Sequence, residues 1–132
     1  MKVRDVQGVP IIVRETTTVS DAVVTLFLEN VGTLIVTNEE GELTGIVSRK
    51  DLLKVTLGNT NAASMPVSLV MTRQPNIITI GPNDPVIAAA EKLIHHQVDC
   101  LPVVQQGEHG KIEVVGRVTK TTMTRVLLEI AQ

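Results

Sequence analysis

The sequence repeats itself, and this internal repeat constrains the fold more than any other feature of the chain. Residues 26–36 (LFLENVGTLIV) match residues 93–103 (LIHHQVDCLPV) at an offset of 67. Residues 45–48 (GIVS) match residues 116–119 (GRVT) at an offset of 71, because the second half has gained four residues in a loop. The repeat predicts two copies of one small supersecondary unit, each too short to bury its sheet well alone.

Each half shows the same order of secondary-structure signals, β-α-β-β-α. Short β-branched strands are predicted at Ile11–Val13 and Ile77–Ile80. Buried strands are predicted at Thr33–Thr37 and Cys100–Val104, each followed by a glycine-containing turn and another strand. The sequence therefore predicts an α/β (α+β) fold in which the two repeats pack sheet to sheet about a pseudo-twofold axis. Such packing would create two equivalent clefts between the halves.

Capping signals indicate where the helices begin. Thr18 is the expected N-cap of the first helix, with Asp21 three residues on. Asp84 is the expected N-cap of its counterpart, with Pro85 at the first helical position. The final helix of each repeat is predicted to start near Arg49 or Lys120, with an apolar face formed by Leu52, Leu53 and Leu57, or by Met123, Val126, Leu127 and Ile130.

The segment between the halves is rich in Asn, Ala and Ser, which is typical of a linker. We therefore predict repeat one at residues 1–58, a linker at residues 59–66 and repeat two at residues 67–132.

Composition excludes several classes of function. A net charge of −2 provides no basic field for nucleic acid. Cys100 is the only cysteine, so no intrachain disulfide is expected, and a reducing cytoplasm is the simplest compartment. No signal peptide is recognisable, and no apolar run approaches the about 18 residues of a membrane span. Phe27 is the only aromatic residue, so the core must be aliphatic.

Several segments resemble the CBS domain family. Residues 45–53 (GIVSRKDLL) resemble its motif G-h-h-S/T-x-x-D, and residues 101–104 (LPVV) resemble its buried strand. Residues 4–6 (RDV) and 69–72 (LVMT) resemble the lead-in before each repeat. The likeness covers nearly the whole chain and implies a CBS pair, or Bateman module.

A closer resemblance is to the regulatory half of the bacterial helix-turn-helix/CBS catabolite repressors of gluconeogenic genes. It implies a regulatory ligand, ATP or ADP, and no catalysis. It also implies a homodimer formed through the CBS helices. DNA would be bound only through a helix-turn-helix segment, which this sequence does not contain.

The Ser-x-x-Asp motif is the first candidate for ligand contact. Ser48 and Asp51 open the last helix of repeat one, where a hydroxyl and a carboxylate could bond ribose hydroxyls beside a helix N-terminus that favours phosphate. The same spacing is also close to a capping box that needs no ligand. Repeat two has Thr119 and Thr122 instead, so the charge-assisted contact of a carboxylate is missing there.

The family resemblance also implies aliphatic walls around each adenine base. They would consist of Ile46 and Val47 with Ile78, Ile80 and Ala89 around one base, and Thr17, Ala22 and Leu43 with Arg117 and Thr119 around the other. For each apolar residue, a plain core role is the alternative.

Cations near the motifs are candidates for phosphate contact: Arg49, Arg117, Lys120 and His96. Arg117 stands where the other repeat has Ile46, in an apolar strand, so it must be paired or face a cleft. His95 and His96 are adjacent on a helix, do not share a face, and are a poor metal pair. A structural salt bridge for Arg117 and helix C-capping for the histidines remain alternatives.

Three classes of function remain to be compared. An enzyme would need a nucleophile–base pair or a metal cluster, and Cys100 with His95 or His96 forms no recognisable arrangement. A nucleotide-binding regulatory module fits the paired motifs. A structural dimerisation module with vestigial or non-nucleotide ligand sites is the alternative.

Overall fold

The computed structural model describes residues 1–131, which fall into two compact units. The central unit is Ile11–Ile77, and the terminal unit joins Met1–Pro10 to the chain from Ile78 onward. Each compact unit thus combines the body of one repeat with the lead-in segment of the other. The repeat boundaries predicted above follow sequence similarity, whereas the unit boundaries follow packing. Gln132 lies outside the described residues.

The central unit has a four-stranded sheet covered by two helices. Its strands, in spatial order, are β1 (Ile12–Arg14), β2 (Thr33–Thr37), β3 (Leu43–Ser48) and β4 (Thr72–Arg73). The first pair is parallel and the other two are antiparallel. Helices α1 (Val19–Glu29) and α2 (Arg49–Gly58) bury Val19, Ala22, Leu26 and Leu52 in an aliphatic core with Leu34, Val36, Val47, Val67 and Met71.

The terminal unit repeats this plan around a two-stranded sheet. Its named elements are α3 (Val86–His95), β5 (Cys100–Gln106), β6 (Ile112–Thr119) and α4 (Lys120–Ala131). The strands β5 and β6 are antiparallel. The core consists of Val3, Ile80, Val86, Ala89, Leu93, Leu101, Val103, Val118, Met123 and Val126. Two sheets and four helices confirm the mixed α/β fold class.

Backbone details show how far the two repeats are alike. Asn30 follows α1 with φ 53° and Gln97 follows α3 with φ 54°, so two equivalent positions, 67 residues apart, are left-handed. Thr18 caps α1 as predicted, since its hydroxyl accepts a hydrogen bond from the N–H of Asp21 at 3.1 Å. The strand β2 also has its predicted limits.

The first strand of repeat two is reduced to a single bridge, so the prediction of a strand over Ile77–Ile80 was wrong. Only Ile80 pairs, in parallel with Val103. The chain turns at once, because the carboxylate of Asp84 accepts a hydrogen bond from the N–H of Gly81 at 2.8 Å. That turn ends the pairing directly after Ile80, and residues 77–79 before it form no strand.

The start of α3 also differs from the prediction. Pro85 is the N-cap, with extended backbone, and the helix begins at Val86. The side chain of Asp84 is engaged in the turn described above, and the N–H of Val86 bonds the carbonyl of Met1 at 3.1 Å. A distant backbone carbonyl therefore takes the place of the expected aspartate cap.

Only part of the apolar face predicted for α2 and for α4 is buried in the core of its unit. Leu52, Met123 and Val126 are buried. The other predicted positions with described burial are exposed: Leu53, Leu57, Leu127 and Ile130. These helices thus carry apolar side chains outside the core of their own unit.

The predicted linker is ordered against α1. Ala62 is buried in a short 3-10 turn over Ala62–Ser64. The carbonyl of Met65 accepts a hydrogen bond from the N–H of Val19 at 2.8 Å, so the segment helps to satisfy the start of the helix.

Candidate functional site

Ser48 and Asp51 form a reciprocal pair at the start of α2. The hydroxyl of Ser48 accepts a hydrogen bond from the N–H of Asp51 at 3.3 Å. Oδ2 of Asp51 accepts from the N–H and the hydroxyl of Ser48 at 2.9 and 3.0 Å. The pair is therefore a capping box. Oδ1 of Asp51 has no hydrogen bond to another described residue, and this oxygen remains able to accept one from a ligand hydroxyl.

Thr119 and Thr122 reproduce the geometry of the first motif without its charge. The hydroxyl of Thr119 accepts a hydrogen bond from the N–H of Thr122 at 3.2 Å, and the two hydroxyl oxygens are 3.1 Å apart. No acidic residue lies in the first turn of α4. The two motifs therefore have the same shape at the helix start but differ by one negative charge.

Arg117 carries an unpaired charge beside the second motif. The residue is half-buried, and its backbone exchanges two hydrogen bonds with Gly8, at 2.9 and 3.0 Å. Its guanidinium makes no hydrogen bond or ion pair with any residue in the described part of the chain. A half-buried cation without a partner is costly unless water or a ligand satisfies it. The guanidinium is therefore free to bind an anionic group.

Lys120 is paired with a residue that the sequence analysis did not identify. Its ammonium lies 3.2 Å from Oδ1 of Asp99, and both side chains are exposed. Such a pair is weak. Asp99 directly precedes β5, and β5 pairs Cys100 with Thr119, so strand register brings the two charges together. Lys120 is thus less available to an anion than Arg117.

Cys100 is a free, buried thiol in an environment that disfavours its thiolate form. Burial raises the pKa of the thiol to about 11, although the charge of Arg117 acts in the opposite direction and that of Asp99 raises it further. The thiol is therefore protonated at neutral pH, and the thiolate is the reactive form. In the described part of the chain, Cys100 has no hydrogen bond to His95 or His96.

Most of the apolar candidate residues are core side chains. Ala22, Leu43 and Val47 are buried in the central unit, and Ile80 and Ala89 are buried in the terminal unit. Their side chains are occupied in packing, and the backbone N–H and carbonyl of Ile80 are already bonded to Pro102 and Val104. Ile46 and Ile78 are only half-buried and keep accessible apolar surface.

Thr17 is engaged in a turn. Its hydroxyl accepts a hydrogen bond from the N–H of Arg14 at 3.1 Å, and its own N–H bonds the carbonyl of Arg14 at 3.0 Å. The guanidinium of Arg14 in turn donates to the carbonyl of Asn38 and, at 3.4 Å, to the hydroxyl of Thr37. Thr17 therefore shapes the loop between β1 and α1.

His96 is the C-cap of α3 and is exposed, with its ring edge-on to that of His95 at a centroid distance of 4.9 Å.

Within residues 1–131, no group of three or more His, Cys, Asp or Glu side chains could hold a metal ion. None of the helices in that range is long and apolar enough to cross a membrane.

Arg49 is the first residue of α2, directly after Ser48, and it lines a groove between α1 and α2. A methyl group at Gly32 would lie 2.8 Å from Nη2 of Arg49, so the guanidinium packs closely against that glycine. The groove has a volume of about 510 Å³ and is also lined by Leu26, Phe27 and Leu53. Arg49 therefore lies beside exposed apolar side chains of α1 and α2 in the central unit.

Comparison with known proteins gives consistent results. The model of the family described as "CBS domain" matches residues 3–58 and 67–129. Transcriptional repressor CcpN of Bacillus subtilis (strain 168) is 43% identical over 132 residues, which cover 100% of this chain and 62% of the repressor. The chain thus spans less than two thirds of that relative.

Two solved structures are similar over nearly their whole length. The CBS domain pair of protein MJ0100, in complex with 5′-methylthioadenosine and S-adenosyl-L-methionine, has a TM-score of 0.83 and 27% identity, covering 98% of both chains. CBSX2 in complex with AMP has a TM-score of 0.83 and 26% identity, covering 99% of this chain and 98% of CBSX2.

Proposed function

The chain belongs to the CBS domain family, and from that membership we propose that it is a cytoplasmic regulatory module that binds an adenine nucleotide, ADP or ATP, and catalyses no reaction. The similarity to a transcriptional repressor supports a role as the ligand-sensing part of a repressor of gluconeogenic genes. DNA would then be bound by a separate helix-turn-helix segment. Two structural relatives are complexes with adenine-containing ligands, which supports the ligand class.

The observation that carries this proposal is the hydrogen bonding of the two carboxylate oxygens of Asp51. Its carboxylate caps α2 with one oxygen and leaves the other without a partner among the described residues. A carboxylate oxygen is a strong acceptor for a ribose hydroxyl. The N-terminal end of α2 behind it favours nearby phosphate. Ser48 and Asp51 are therefore assigned to ribose, with Ile46 as accessible apolar surface for a base.

Within the terminal unit, phosphate recognition is assigned chiefly to Arg117, since its guanidinium has no protein partner in the described range and Lys120 already has Asp99. Thr119 and Thr122 would contribute neutral hydroxyls. Taken as separate sites, the two motifs would then differ in preference, with a carboxylate contact to ribose at the first and a response to the number of phosphates at the second.

Arg117→Ile is expected to lower the affinity for ADP by about 10- to 100-fold, the range for a lost charge-assisted hydrogen bond. Isoleucine is chosen because the other repeat has Ile46 at the equivalent position. Affinity for adenosine should change less than about twofold, because adenosine has no phosphate. Calorimetric titration of both ligands measures the difference. Lys50→Ala, at an exposed helix position, is the control. An equal loss for adenosine and ADP would contradict the assignment of Arg117 to phosphate.

Regulation would follow from linkage. A nucleotide changes the balance between two arrangements of a protein only by its differential affinity for them. If Arg117 contacts a phosphate of the ligand, the difference in affinity between the two arrangements would depend on the number of phosphates. The energy state of the cell would then be converted into a change in repressor activity.

Exposed apolar helix side chains favour a second role, association of two copies into a homodimer. Phe27 on α1 and Leu57 on α2 are 82% and 81% exposed. Further exposed examples lie on the other helices: Ile87, Ile94, Leu127, Leu128 and Ile130. In monomeric proteins, large contiguous apolar patches are rare and mark interaction sites. A structural dimerisation module would need these faces but not the free oxygen of Asp51.

Phe27→Glu is expected to raise the dissociation constant of the dimer at least about tenfold, since a charge would be buried without a partner. Sedimentation velocity across a dilution series measures this constant. Leu69→Glu is a matched control, because Leu69 is 65% exposed but lies outside the four α-helices. A monomeric wild-type chain at the highest concentration would contradict the homodimer, and equal effects of the two variants would contradict the helix interface.

A further inference from the structure

The first eight residues fold as part of the terminal unit, where they contact two of its edges. We infer that this segment, Met1–Gly8, here named the N-terminal strap, responds to nucleotide occupancy of the terminal unit by docking more tightly. The inference rests on the proposed function, because it requires that a nucleotide contacts this unit. It adds the element through which binding would be transmitted along the chain.

One end of the strap is bonded to the turn before α3. The carbonyl of Met1 accepts from the N–H of Val86 at 3.1 Å. The N–H of Val3 donates to the carbonyl of Asp84 at 2.9 Å, and that of Arg4 donates to the carbonyl of Pro82 at 2.9 Å. Three backbone hydrogen bonds thus join the strap to the segment that positions the start of α3.

The other end of the strap is bonded to β6. Gly8 and Arg117 exchange both backbone hydrogen bonds, at 2.9 and 3.0 Å. The side-chain amide of Gln7 donates to the carbonyl of Val115 at 3.1 Å. Gln7 also covers Gly116, where a methyl group would lie 2.7 Å from its Cδ. The strap therefore holds the backbone of the residue whose guanidinium is unpaired.

The strap is held by few buried groups. Val3, at 0% exposure, belongs to the core of the terminal unit and half-buried Val6 packs against that core, but Met1, Lys2, Arg4, Asp5 and Gly8 are exposed. Oε1 of Gln7 is buried and has no hydrogen-bond partner, which opposes the docked state. Segments with little buried apolar surface and exposed backbone hydrogen bonds open locally at low free energy. Docking of the strap is therefore a balance that a small change can shift.

Candidate ligand residues lie beside both anchor points. Arg117 shares its backbone hydrogen bonds with Gly8. Ile80 is two residues before Pro82, and Ala89 is three residues after Val86 on the first turn of α3. A nucleotide bound by Arg117 would also fix the β6 partner of the strap, since Arg117 and Gly8 share their backbone hydrogen bonds. By linkage, an intact strap must then favour nucleotide binding by the same factor.

Amide hydrogen exchange of the full chain, with and without saturating ADP and ATP, tests this inference. The peptide covering Met1–Gly8 is expected to exchange at least about threefold more slowly with nucleotide, because the amides of Val3, Arg4 and Gly8 are bonded only when the strap is docked. Nucleotide binding without any change in this peptide would overturn the inference while leaving the proposed function intact. Absence of binding by the wild-type chain would overturn both.

Two matched pairs of variants test the reciprocal effect. Arg4→Pro removes the N–H that bonds Pro82, whereas Arg4→Ala removes only an exposed side chain. Gly8→Pro and Gly8→Ala form the second pair, since Gly8→Ala meets no atom closer than Nε of Arg117 at 3.9 Å. Each proline variant that stays folded in a melting experiment should lose at least about fivefold in ADP affinity relative to its alanine partner. Equal affinities within both pairs would overturn the inference.

Discussion

Asp51→Ala is expected to lower the affinity for ADP or ATP by about 10- to 100-fold at the first motif, the range for a lost hydrogen bond to a charged group. The variant removes the free Oδ1 that is assigned to the ribose hydroxyls. It also removes Oδ2, which caps α2 through Ser48. A loss of stability of about 1 kcal/mol should therefore accompany the loss of binding. Calorimetric titration and urea unfolding measure the two effects separately.

The equivalent position of the other repeat supplies the control. Thr122→Ala removes a neutral hydroxyl and leaves no carboxylate site altered, so its effect on affinity should be several-fold smaller. Asp51→Asn retains an oxygen acceptor but loses the charge, and an intermediate affinity is expected. If Asp51→Ala lost only stability and bound nucleotide like the wild type, the motif would be a helix cap without a ligand role.

Gly45→Ala is expected to destabilise the central unit by about 1–3 kcal/mol, the usual range for overpacking. A methyl group at this position would lie 2.2 Å from Sδ of Met71, and Met71 is itself buried. Gly45 pairs with both β2 and β4, so the strand cannot move aside without disturbing two ladders. Urea unfolding followed by circular dichroism measures the change in free energy of unfolding.

The cause of that loss can be isolated by removing the clashing side chain. In a Met71→Ala background, adding Gly45→Ala should cost less than about 0.5 kcal/mol, because the two changes are in contact and their effects are coupled. Gly58→Ala is the matched single control, since a methyl group there meets no atom within 4 Å. A Gly45→Ala variant as stable as Gly58→Ala would contradict the described packing of Met71.

Local patterns predicted the elements that depend on local interactions. The β-branched run that forms β2 and the Thr18 cap are encoded within a few residues. The cap of α3 was not predictable in this way, because the N–H of Val86 is satisfied by Met1, 85 residues earlier. The same contact explains why Met1–Pro10 folds with the terminal unit although its sequence precedes repeat one.

The candidate site was predictable to a similar extent. Ser48 and Asp51 stand out as a motif, and Arg117 stands out as a charge in an apolar strand. The pairing of Lys120 with Asp99 depends on strand register, which a motif does not encode. The burial of Val47 and Ala89 follows from helix–sheet packing, so the sequence could not separate wall residues from core residues.

The central claim, that this CBS pair binds an adenine nucleotide as a signal, is tested most directly by calorimetric titration of the chain with ATP, ADP, AMP and S-adenosyl-L-methionine. We expect saturable heats with ADP or ATP that weaken in the Asp51→Ala variant. Flat heats with all four ligands would contradict the claim and would leave association through the exposed helices as the function.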